Sequence, residues 1–264
     1  GSPFITTALC LEAINKYQSS SAKVSNAKQI SDSQSGKENE IYDKVTQIFQ
    51  QRFSGFSKDF RDKAAAIAER ISKKNRDIVL LPFYFRNALG EKGAKAGDRF
   101  IIQLGLANLF GWIAYTIYDD FLDEPRTRTP QYNKLTTGQA SSVRGRECDP
   151  KLLSIANVCL RESAEIFGAS LPTSTGFPSF SKKAFDAIDT ANMWEVTHTR
   201  DLSVIPTYGA FSQLANKSLG HALGPIAILF ALGYKERSAE VIGTMQFFKN
   251  YIIARQLNDD AHDW

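Results

Sequence analysis

FIIQLGLANLFGWIAYTIYDDFLD, residues 100–123, is apolar on nearly every side until it reaches Asp119. A helix that is apolar all round has to be enclosed, either by other helices or by lipid. Its uncharged stretch, residues 104–118, falls short of the roughly 18–20 residues that span a bilayer, and it carries Asn108. The other apolar stretch, residues 219–232, is also too short and is interrupted by His221 and by Gly224-Pro225. Both are therefore expected to be buried core helices, and no transmembrane segment is expected. The first becomes the central helix of a bundle, with carboxylates only at its end.

Working outward, Val45, Ile48, Phe49, Phe53 and Phe56 recur at helical spacing, and so do Phe60, Ala64, Ile67, Ala68 and Ile71. Residues 78–89 predict a helix bent or started at Pro82, followed by a Gly- and Lys-rich loop over 90–97. Asp149 and Pro150 suit the cap and first turn of a helix to about Phe167, and Ser181 suits the cap of one running to about Arg200. A helix over 212–232 should kink at Gly220, Gly224 and Pro225. The last helix starts at Ala239 and places Ile242, Met245, Phe248 and Ile252 on one face. No period-two strand pattern occurs, so the expected fold is all-α, a single large helical bundle. Residues 1–40 lack the hydrophobics for a core and read as an arm or linker, leaving 41–264 as the helical domain.

The bulk numbers narrow the function. A chain of 264 residues with 43% hydrophobic content supports one sizeable core. Its net charge of +4 comes from 32 basic and 28 acidic side chains spread along the chain, so no basic stripe points to nucleic acid. Cys10, Cys148 and Cys159 have no C-x-x-C spacing, which argues against a disulfide framework and a zinc ribbon. A reducing, cytoplasmic setting is expected. Gly1-Ser2 reads as an expression scar, and no signal peptide follows it.

The pattern D-D-x-x-D occurs at Asp119/Asp120/Asp123 and again at Asp259/Asp260/Asp263, each time at the end of an apolar helix. On a helix the first and third Asp of each set lie about 40° apart, close enough to share a cation. Adjacent carboxylates there repel one another, oppose the negative end of the helix dipole and resist burial. A hard divalent cation removes that penalty, and carboxylates with water and phosphate are the usual ligands of Mg²⁺. For either set alone, a solvated acidic helix end is an equal reading. Two identical sets are far more specific.

These stretches resemble the class I isoprenoid enzymes, that is, the trans-polyprenyl diphosphate synthases and class I terpene synthases. Residues 114–123 (AYTIYDDFLD) are similar to the first aspartate-rich motif, and residues 256–263 (QLNDDAHD) to the second, including the Gln that precedes it. Lys217-Ser218 resembles the Lys-Ser/Thr pair that contacts diphosphate. The resemblance covers residues 100–264 and implies that the bundle encloses a central active-site cavity. It implies about three Mg²⁺ ions held by Asp119, Asp123 and Asp259, with Asp120, Asn258, Asp260 and Asp263 in support, gripping the diphosphate of a prenyl substrate. Lys217, Arg255 and Arg128 would contact that diphosphate. Tyr115, Trp194 and Phe248, with Phe247, would wall the cavity, where aromatic faces stabilise a carbocation; core packing is an equal reading for Tyr115 and the plainer one for the other three. The oligomeric state stays open, a homodimer included.

Some family features are missing. No Gly-Lys-Arg motif precedes the first acidic set, where Lys92, Lys95 and Arg99 are differently patterned, and Arg126-Thr127-Arg128 replaces an Arg-Arg pair. Both gaps favour a one-substrate terpene synthase over a chain-elongating prenyltransferase. Read as Asn-Asp-x-x-Ser-x-x-x-Glu, the second motif has His262 at the Ser position and would place its Glu beyond Trp264, so the domain is expected to continue past this sequence. Two other readings compete. His262-Asp263 with His198 and His221 could belong to a metal-dependent phosphohydrolase, although the first acidic set would then be unexplained. A non-catalytic helical partner subunit would account for the missing second-substrate residues.

Overall fold

A computed structural model describes the backbone of residues 26–123, 150–198, 212, 213 and 215–262. Side chains are described at all of these save 26–34, 120–123, 150, 196, 198, 218, 252 and 254–262. The described residues form eight α-helices and no strand, an all-α bundle. The helices are α1 (Asn26–Arg52), α2 (Lys58–Lys74), α3 (Arg76–Ala88), α4 (Asp98–Asp123), α5 (Pro150–Ala169), α6 (Phe177–His198), α7 (Leu219–Ala231) and α8 (Ala239–His262). Short 3-10 turns lie at Gly93–Lys95, Thr173–Thr175 and Ala215–Ser218.

Helix α4 is the centre, packing against α1, α2, α3, α5 and α7. Over Asp98–Asp119 it is 22 residues long, so by length and composition it does pass the test for a membrane span that its uncharged stretch alone fails. With 72% of that window buried inside the bundle, it is enclosed by protein. Leu104, Ala107, Leu109, Phe110, Ile113 and Ala114 have no exposed surface. Small residues set its approach to α5: Ser163 Oγ donates to Ala107 O at 2.9 Å, and a Cβ on Gly111 would stand 3.1 Å from that Oγ.

Asn108, a polar residue buried in this helix, has a specific partner. Pro82 lies inside α3 and has no N–H, which leaves the Ile78 carbonyl without its intrahelical donor. Asn108 Nδ2 donates to that carbonyl at 3.0 Å across the α3/α4 contact. The proline ring in turn packs on α7, where a Cβ added to Gly224 would stand 2.8 Å from Pro82 Cγ. Of the two roles expected for Pro82, bending or starting the helix, the second does not hold: α3 begins at Arg76 and runs through it.

Four further details depart from the expected pattern. The polar run from Asn26 is helical and continuous with the apolar stripe of α1, where Ile41, Val45 and Phe49 are buried. It is tied down by charge, with Lys37 Nζ 2.7 Å from Asp98 Oδ2 and Arg76 Nη2 donating to Asn39 Oδ1 at 2.6 Å. Helix α6 starts at Phe177, upstream of Ser181, because Gly176 turns the chain at φ +86° and Pro178 sits in the first turn, where a missing N–H costs nothing. Ser181 donates instead to Pro178 O at 3.0 Å. The expected helix over 212–232 changes from the 3-10 turn Ala215–Ser218 to α-helix at Leu219, upstream of its glycines. On α8 the buried face is Val241 and Phe248 with Met245 partly buried, whereas Ile242 is 54% exposed. Residues 241 and 248 lie about 20° apart around a helix but 242 and 248 about 120° apart, so only Val241 can join that stripe.

Candidate functional site

Three elements converge at the C-terminal end of α4. Lys217 Nζ, in the 3-10 turn before α7, donates to Asp119 Oδ1 at 3.0 Å. The same ammonium donates to Glu195 Oε2 on α6 in a very short contact. The Lys217 side chain is 20% exposed, Glu195 30% and Asp119 52%, so the cluster is sunk into the bundle with its Asp119 edge in solvent. Burial alone would disfavour the charge on Lys217; Asp119 and Glu195 outweigh it and hold the ammonium above the ordinary lysine range. Lys217 is thus fully protonated at neutral pH. A cation also suits this place because the carbonyl end of α4 is the negative end of its dipole.

Of the residues expected in the site, the structure brings Asp119 and Lys217 into contact although 98 positions separate them. Glu195 was not among the candidates. Its signal is present in the chain: Ala184, Ile188 and Ala191 form the buried stripe of α6, and residue 195 is the next position in that register. A carboxylate in an apolar stripe requires a partner, and Lys217 supplies it.

Asp259 and Asp260 of the second acidic set are carried by α8, which packs along α7 and also against the turn Ala215–Ser218. The short link over residues 232–238 makes α7 and α8 antiparallel neighbours. Counting ~1.5 Å per α-helical and ~2 Å per 3-10 residue, α8 climbs level with the start of that turn at about Leu257 or Asn258. The backbone that carries Asp259 therefore heads toward the Lys217 end of the bundle. The side chains of Asp120, Asp123, Arg255, Asn258, Asp259 and Asp260, together with all of Arg128 and Asp263, lie outside the described residues. Among the described residues no group of three or more His, Cys, Asp or Glu is arranged to hold a metal. Asp119, half exposed at its helix end, is an oxygen donor suited to a hard cation.

Beneath Asp119 the same face of α4 carries Tyr115, Trp112 and Asn108. Tyr115 Oη, Trp112 Nε1 and Asn108 Oδ1 are all buried and make no hydrogen bond among the described residues. Burial, and secondarily the Asp189 carboxylate, push the Tyr115 phenol well above its ordinary range. Trp112 meets His221 of α7 edge-on, with ring centroids 4.9 Å apart. Of the other expected cavity residues, Trp194 is half-buried, Phe248 is buried and Phe247 packs on it at 5.3 Å.

A buried hydroxyl without a partner loses its hydration and gains nothing in return. Tyr115→Phe is therefore expected to keep or raise stability, by up to about 1 kcal/mol. A midpoint of urea unfolding clearly below that of the wild type would show that the hydroxyl is satisfied in solution.

Set against family models, curated proteins and solved structures, the chain matches none of them.

Proposed function

We propose that this protein is a Mg²⁺-dependent class I terpene synthase, which ionises a linear allylic prenyl diphosphate and releases diphosphate as the carbocation cyclises or rearranges. The observation that carries the reading is the contact between Asp119 and Lys217, the first acidic set and the basic residue that the resemblance assigns to one diphosphate site. Asp119, Asp120 and Asp123 would hold Mg²⁺ from one side, and Asn258, Asp259, Asp260 and Asp263 from the other. When bound, Mg²⁺ supplies Lewis-acid neutralisation of the diphosphate oxygens.

The chain's own groups have separate tasks. Lys217, kept protonated by its carboxylate neighbours, donates to a diphosphate oxygen and stabilises the charge that grows there as the C–O bond breaks. Arg255 and Arg128 are assigned the same task. Tyr115, Trp194 and Phe248 would form part of the wall of a cavity opening inward from this end, excluding water and presenting aromatic faces to the cation. A chain-elongating prenyl diphosphate synthase is the second reading, favoured by Gln256 ahead of the second acidic set.

The test is to incubate the purified protein and Mg²⁺ with farnesyl or geranylgeranyl diphosphate, with and without isopentenyl diphosphate, and to identify products by mass spectrometry. Hydrocarbon or alcohol formed without the second substrate is the expected result, and EDTA should abolish it while leaving the protein folded. Longer diphosphates formed only with isopentenyl diphosphate would transfer the assignment to the second reading. No diphosphate release from any of these substrates would reject both.

A further inference from the structure

Lys217 sits between two carboxylates of unequal setting: Glu195, 30% exposed on α6, and Asp119, 52% exposed at the edge of α4. An ammonium has three N–H donors, and these two contacts use two of them. Asp119 is also the carboxylate that a divalent cation would take. We propose that the Asp119–Lys217 contact is an interlock between cation and anion binding, in which Asp119 gives up Lys217 as it engages the cation while Glu195 keeps the ammonium in place for a diphosphate oxygen. The inference rests on the function proposed above and deepens it by assigning Glu195 a role as a positioning residue. Its physical content is a competition. Without a cation, Asp119 holds one donor of Lys217 and offsets its charge, so an anion binds more weakly than it would to an ammonium held by Glu195 alone.

The experiment is calorimetric titration with inorganic pyrophosphate in EDTA, on wild type, Asp119→Asn, Lys217→Ala and the double variant. Breaking a half-exposed ion pair corresponds to about twofold to fivefold in affinity, so Asp119→Asn should bind metal-free pyrophosphate tighter than wild type by about that factor. Removing a negative charge near an anion helps by itself, and the Lys217→Ala background measures that general effect. The interlock requires a clearly larger gain when Lys217 is present. Glu195→Ala should shrink this difference, and Glu195→Gln, which keeps an acceptor for the ammonium, should restore it; a purely structural role would not move it.

Equal gains on the two backgrounds, or no gain at all, in a protein that still turns over an allylic diphosphate would overturn the interlock alone. Pyrophosphate that binds no variant, with or without Mg²⁺, would overturn the interlock and the proposed function together.

Discussion

Asp119→Ala is expected to lower diphosphate release from an allylic substrate by at least about 10²–10³-fold, the scale on which losing one group that stabilises developing charge is felt. The fold should survive. Asp119 is about half exposed and its pair with Lys217 is partly screened, so its contribution to stability is at most about 1 kcal/mol. Lys217 also retains Glu195 when Asp119 is gone, so no buried charge is stranded. Pyrophosphate release measured beside a thermal melt separates the two effects. A variant that keeps wild-type turnover would remove Asp119 from the chemistry, and one that unfolds would show the pair to be structural instead.

Phe110→Ala should produce the largest loss of stability among single truncations, about 3–5 kcal/mol. Phe110 is fully buried at the middle of α4, with its ring 4.9 Å from Phe49 and 6.3 Å from Phe53. Those partners come from α1 and the turn after it, so the cavity would open in the contact that joins the N-terminal helix to the centre of the bundle. The surrounding rings are locked by one another, Phe49 and Phe53 lying 5.0 Å apart, and cannot collapse into the space. Urea unfolding should show a lowered midpoint with an unchanged slope. A loss below about 1 kcal/mol would mean that α1 is loosely attached.

Much of this architecture was legible along the chain because helices have a short period. The apolar stripes of α1 and α2, the enclosure of α4 and the start of α8 at Ala239 follow from spacing and composition alone. Errors arose where a residue serves a neighbour instead of its own helix. Pro82 is tolerated inside α3 because Asn108, on another helix, takes over the orphaned carbonyl. The polar half of α1 is held by charges on α3 and α4, which no local hydrophobic pattern reveals. Ile242 lost its place to Val241 because adjacent apolar residues offer two faces, and only packing chooses between them.

For the site, the chain by itself determined the residue types: repeated acidic sets after apolar stretches, and a lysine at Lys217 before an apolar segment interrupted by Gly224-Pro225. It also carried Glu195 in the register of a buried stripe, a feature that local helical geometry makes readable. Only the tertiary structure decided that Lys217 meets Asp119 and Glu195, and that Tyr115, Trp112 and Asn108 share one face whose buried polar atoms find no partner among the described residues. The reason is that helical periodicity determines which way a side chain points from its own axis, whereas the partner it finds depends on how separate helices are stacked, and that is settled by the packing of the whole bundle.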